Sequence, residues 1–234
     1  MAEAHAALAE RELFLEWDRD GAEREYKRAL ELNPSEQLAN LEYPDILLIE
    51  GRTEEAIAQG RSSLSLDPLS PRAGKALSWI LYYAGKYDDA IEQCKKTQEL
   101  FPNYREINLG PDYEKKGLYD QAINEYLASE ARWGLPEHDV ATLRQTYASS
   151  GWRAYWKKLL ELRQEESKRN RVASMEFAGV YLHLGDNDLA IKWLQKAFEQ
   201  HELALITLSI DPQWESLRSD VRFRELLRNI GLPT

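Results

Sequence analysis

With a single cysteine, Cys94, the chain cannot form an intrachain disulfide, and nothing in it calls for an oxidising compartment. Histidine is nearly as scarce. His5, His138, His183 and His201 are scattered, without a His-x-x-x-His pair, so no zinc constellation is visible and no metal is expected. No stretch approaches the ~18 consecutive apolar residues that a membrane span needs. The first residues, Met1 to Glu12, read as a charged amphipathic helix and lack the basic start and apolar run of a signal peptide. A cytoplasmic protein is expected. Positive charge is in the minority: 30 Lys and Arg stand against 40 Asp and Glu, a formal charge of −10. That balance argues against nucleic acid as a partner, since phosphates are held by clustered Lys and Arg that replace counterions.

Catalytic signatures are also missing. There is no G-x-S-x-G elbow, and no G-x-G-x-x-G between a strand and a helix. Ala73-Gly74-Lys75 and Ala84-Gly85-Lys86 lack the upstream glycine loop of a phosphate-binding site, and no cofactor is expected. Paired carboxylates such as Glu54 with Glu55 and Asp88 with Asp89 read as solvated outer faces.

What the chain does have is a clock. Prolines recur at Pro34, Pro68, Pro102 and Pro136, each 34 residues after the last. Glycines keep the same step from Gly51 to Gly85 and again from Gly117 through Gly151 to Gly185. A small residue follows at a fixed offset: Ala22, Ala56, Ala90, Ala122 and Ala190. Between these anchors the apolar residues fall at helical spacing, as Ala22, Tyr26, Ala29 and Leu32 do on one predicted face. Glycine suits the tight turn between antiparallel helices, and proline ends the second helix of a pair.

The segment Leu109-Gly110-x-x-Tyr113-x-x-x-Gly117-x-Tyr119-x-x-Ala122-x-x-x-Tyr126 resembles the tetratricopeptide-repeat (TPR) signature almost position for position. Thr53 to Ile57 and Asp88 to Glu92 resemble its second-helix opening. The resemblance implies an all-α, right-handed solenoid of antiparallel helix pairs, eleven to fourteen helices in one domain over 1–234. The expected repeats are roughly 3–34, 35–68, 69–102, 103–136, 137–170 and 171–201, with a cap over 202–234. The last third, with Leu184 to Leu194 followed by Ile210 to Phe223 and Leu226 to Leu232, is similar to the TPR tails of bacterial multidomain regulators: winged-helix activators, nucleotide cyclases and Ser/Thr kinases. No such front domain is in this sequence, so the resemblance implies an excised sensory half or a stand-alone relative.

Function on a repeat framework is written where the framework rules fail. Pro44 falls where a small packing residue is expected, Pro111 sits one position further along in its own repeat, and each is followed by an aspartate, Asp45 and Asp112. Either each proline lies in the first turn of a helix that starts late, or the pair kinks the chain and opens a groove around carboxylates. Trp156 stands where alanine is expected, with Trp152 and Tyr155 beside it; packing is the first explanation. Arg163 to Arg171 reads as an exposed helix end and loop.

By the resemblance, the inward positions of each first helix line a concave surface. In this chain these are Leu41, Asp45 and Leu48, then Arg72, Lys75, Trp79 and Tyr82, then Tyr104, Ile107, Asn108, Pro111 and Glu114. Such a groove suits a peptide, a protein segment or a small molecule, with the aromatic residues serving either as groove lining or as filling between repeats. Two other readings stand beside this binding module. One is an enzyme built around Asp45, Lys75, Trp79, Asn108 and Asp112, with Asp45 and Asp112 as the acids to test. The other is a self-association scaffold that stacks into a homodimer.

Overall fold

A computed structural model describes residues 1–104, 109–170 and 172–234. Among them every regular element is helical, with no strand. In chain order the helices are α1 (Ala2–Arg11), followed by a π-helical turn at Glu12–Glu16, then α2 (Arg19–Leu32), α3 (Gln37–Ile49), α4 (Thr53–Leu66), α5 (Pro71–Tyr83) and α6 (Tyr87–Leu100). Next come α7 (Gly110–Lys115), α8 (Tyr119–Arg132), α9 (Glu137–Glu166), α10 (Ser174–His183) and α11 (Asn187–Glu199). Two 3₁₀ turns, Leu203–Thr207 and Pro212–Leu217, lead to α12 (Val221–Ile230). The helix-pair solenoid expected from the repeat is the architecture found. None of these helices is long and apolar enough to cross a membrane.

The periodic residues each have a structural task. Gly85 closes α5 with φ +72°, a left-handed conformation that a Cβ would strain. Its neighbours complete the end, because Gly85 N–H donates to the Tyr82 carbonyl and Lys86 N–H reaches back to Leu81. The second helix starts at Tyr87, so a turn of three residues, Ala84 to Lys86, joins the two antiparallel helices. Ala22, Ala56, Ala90, Ala122 and Ala190 are all fully buried, since a methyl is the largest group that lets paired helices approach there. Side chains cap several starts: Asp18 accepts from Gly21 N–H, Ser70 from Ala73 and Asp186 from Leu189. Leu32 departs from its predicted face. It lies in the last turn of α2, beyond the packed stretch, and is 38% exposed.

Contacts divide the chain into two compact units. The first comprises Met1–Ile107 with Ile206–Pro212 and Leu227–Thr234; the second comprises Asn108–Leu205 with Gln213–Leu226. In the first, Tyr26, Ile46 and Tyr82 are among the largest fully buried side chains. In the second, Ile123, Leu127, Leu143, Tyr155, Trp156, Leu159 and Val180 form one apolar cluster.

The two prolines behave differently. Pro111 lies at the first helical positions of α7, where its missing N–H costs nothing, as the late-start reading expects. Pro44 lies inside α3 and is buried, so the late-start reading fails there. Its ring removes the bond that would tie residue 44 to the Asn40 carbonyl. In the turn before it, Asn40 Nδ2 donates to the carbonyls of Pro34 and Glu36, and its Oδ1 accepts from Gln59. Trp156 is buried in the second unit's cluster, in agreement with packing as its role. α9 is in fact two helices run together. Gly151, at φ 77° and ψ −168°, breaks it where the clock places a turn glycine.

Candidate functional site

In the first unit, α3 and α5 present adjacent half-buried faces that enclose a cavity of about 400 Å³. Leu41, Glu42 and Asp45 come from α3, while Arg72, Lys75, Ala76, Trp79, Ile80 and Tyr83 come from α5. Tyr104, just beyond α6, adds another aromatic wall. The α5 residues fall at the i, i+3, i+4, i+7 spacing of one helical stripe. That stripe is rigid at its base, because Trp79 stacks on Tyr83 with ring centres 5.7 Å apart. Trp79 also meets Tyr82 edge-on at 5.4 Å.

Charge of both signs faces the space. Arg72 approaches Glu42 at 3.9 Å, a loose pair that water can share. Burial pushes the Glu42 carboxyl above the usual range, opposed by Arg72 and Lys75 and reinforced by Glu10. Burial also raises Asp45, to about 7, with Glu42 adding repulsion and Lys75 opposing it. The Tyr83 phenol is driven well up by burial and by the nearby Asp211 and Asp45 carboxylates. The site therefore combines aromatic faces, two cations and an acid that changes charge near neutrality.

Of the twelve groove positions expected from the sequence, Leu41, Asp45, Arg72, Lys75, Trp79 and Tyr104 line this cavity. Leu48 and Tyr82 do not. Leu48 is buried, and Tyr82, 2% exposed, turns into the core with its hydroxyl donating to Asp211 at 3.2 Å. Tyr83 takes the place expected of Tyr82, one residue and about 100° further around α5. Ile107 and Asn108 lie outside the described residues. Pro111 and Glu114 belong to the second unit. There Glu114 accepts from Tyr126 at 2.7 Å and contacts His183 Nε2 at 3.0 Å, while His183 Nδ1 faces the Gly179 carbonyl. Burial pushes Glu114 up, but the bonds from His183 and Tyr126 outweigh it and leave the carboxyl below its ordinary value. His183 in turn stacks on Trp156 at 3.7 Å. Asp112 is a second-unit residue as well, 3% exposed, with Oδ1 lacking a partner among the described residues. Burial raises it to about 7, against a bond from its own backbone amide. The two aspartates thus sit in separate units.

Glu42, Ala76, Ile80 and Tyr83 line the cavity without having been singled out. The signal was present: Tyr83 lies four residues beyond Trp79, and Glu42 three before Asp45.

The tetratricopeptide repeat family matches this chain twice, over residues 18–71 and over residues 173–200. The chain carries tetratricopeptide repeats. The first TPR match runs through α2, α3 and α4, the stretch that supplies one wall of the cavity. Among curated proteins none matches. Among solved structures, the APC/C hetero-tetramer Cut9-Hcn1 is similar in fold, with a TM-score of 0.56 at 14% identity. That match covers 94% of this chain and 48% of the other. A MamA protein is similar at 20% identity and a TM-score of 0.48, covering 86% of this chain and 92% of that one. A thermophilic TPR protein from Thermus thermophilus is similar at 20% identity and 0.44, covering 97% and 100%. TPR repeats are a fold suited to protein–protein interaction and scaffolding.

Proposed function

We propose that this TPR chain is a binding module that captures an extended protein or peptide segment in the cavity between α3 and α5. The observation that carries the reading is the convergence of Trp79, Tyr83 and Tyr104 with Arg72, Lys75, Glu42 and Asp45 around one open space of about 400 Å³. Rigid aromatic faces give a ligand contact area at little entropic cost, and charges of both signs fix its register. Such capture suits the sensory or assembly part of a bacterial cytoplasmic regulator, as the resemblance of the last third to regulator tails suggests. The test is selection of displayed peptides on the wild-type chain, followed by binding to Trp79→Ala and Lys75→Glu. Both substitutions should weaken the selected peptides about tenfold or more while helicity is kept. Undiminished binding by both would end the proposal.

A second reading is an active site in the same cavity, favoured by Asp45, whose carboxyl near 7 suits proton transfer at neutral pH. Asp45→Asn separates the two: a binding module keeps most of its affinity, whereas an acid–base catalyst loses turnover.

A further inference from the structure

A second cavity, of about 890 Å³, lies wholly within the second unit. It is formed where the end of α8, both ends of the broken helix α9 and the start of α10 come together. Its rim carries Trp133, 68% exposed, on a turn where Gly134 takes φ +97°. Leu135 and Leu162 continue the apolar side. An indole left in water beside other apolar groups is the kind of surface that anchors a partner.

The opposite wall is built around Arg163. Its Nη2 donates to both oxygens of Glu130, at 2.7 and 2.6 Å. Its Nη1 donates to Glu166 at 3.2 Å, and its Nε lies 2.9 Å from Glu176. One guanidinium thus serves three carboxylates and leaves charge uncovered. Burial holds Glu176 above the ordinary range even with Arg163 opposing, and Glu130 and Glu166 add to the rise. Asp139 adds a further carboxylate to the lining, whereas Glu165 is already spent on Lys168. Outside the lining, the Tyr155 hydroxyl is fully buried, feels both Glu130 and Arg163, and has no hydrogen-bond partner among the described residues.

We infer that this cavity is a docking site for an arginine side chain of a partner polypeptide. Charge complementarity selects a cation, because with Glu165 paired to Lys168, four carboxylates, Glu130, Asp139, Glu166 and Glu176, line the space against Arg163 and Arg169. The resident Arg163 already displays the fork geometry that this wall accepts. Arginine is preferred over lysine because its planar group pairs with carboxylates in a fork and stacks on indole faces, and the lining offers both in Glu176 and Trp133. The site is independent of the α3–α5 cavity and stands whether or not that cavity holds a segment.

The test uses the full chain with its tryptophan indoles isotopically labelled and the Trp133 resonance assigned through Trp133→Phe. The probe is a short glycine–leucine peptide carrying one arginine, alongside versions with lysine and with uncharged citrulline. The arginine peptide should move the Trp133 signal saturably, and the citrulline peptide should bind about tenfold more weakly, the loss of a charge-assisted contact. Glu176→Gln should weaken the arginine peptide similarly, whereas Trp79→Ala should leave it unchanged. Equal binding of arginine and citrulline peptides, or no saturable movement of Trp133, overturns the inference. So does an equal effect from calcium chloride at matched ionic strength, which would mark a general cation sink.

Discussion

Replacing Asp45 by asparagine should stabilise the protein at neutral and alkaline pH and do nothing at low pH. The carboxyl sits half-buried between α3 and α5, and its pKa is raised from an ordinary 3.8 to about 7. A folded-state pKa above the unfolded one means that the native chain holds its proton more tightly. The associated stability is complete below the unfolded pKa and is lost as pH rises through the folded one. A displacement of this size corresponds to on the order of 4 kcal/mol between the two charge states. Part of the side chain remains in water, which screens the charge, so ~2 kcal/mol is the expected cost of ionised Asp45. Urea unfolding followed by circular dichroism, at pH 4 to 9, gives the difference between Asp45→Asn and wild type. That difference should grow between about pH 4 and 7 and then stay level near 2 kcal/mol. A difference independent of pH, or wild type becoming relatively more stable above pH 7, would refute the assignment of a desolvated carboxyl.

Other outcomes follow from the same physics. Arg163→Ala should destabilise the second unit by about 3 kcal/mol, because Glu130, only 14% exposed in its side chain, is left without its counter-charge. The double variant Arg163→Met with Glu130→Leu should recover much of that loss in the same unfolding assay. Gly151→Ala should cost about 2 kcal/mol purely through backbone strain, since φ 77° with ψ −168° is a glycine region and nothing lies within 4 Å of an added Cβ. Gly85→Ala, in an ordinary left-handed helix end, should cost nearer 1 kcal/mol by thermal unfolding. Gly110→Ala should be destabilising for a different reason: its Cβ would lie 2.3 Å from the Tyr126 ring, so Tyr126→Leu in the same chain should restore part of the loss.

The repeat was legible because each of its marks has a single physical role. Alanine recurs where paired helices come closest, and glycine recurs where φ must be positive, so identity and position are locked together. The cavity was legible to the extent that it is a stripe on one helix. Arg72, Lys75 and Trp79 follow from spacing along α5, yet the rotation of that helix decides whether Tyr82 or Tyr83 faces the space. A rotation of one residue is set by packing against Asp211 and the core, far along the chain. Of the two readings open for Pro44, the helix start failed, although local rules place proline there. Its interior, buried position follows from the tertiary packing of α3, which local rules do not carry. Only the Arg163–Glu166 spacing was a local signal of the Arg163 network: Glu130 lies 33 residues away, and the stretch read as exposed helix end.

Whether α3 and α5 hold a ligand between them is measured most directly by the affinity of display-selected peptides for wild type and for Trp79→Ala. Selected peptides should compete with one another for one site and lose about tenfold or more of their affinity when Trp79 is removed, with the helical spectrum unchanged. Peptides that bind both proteins equally well would contradict it.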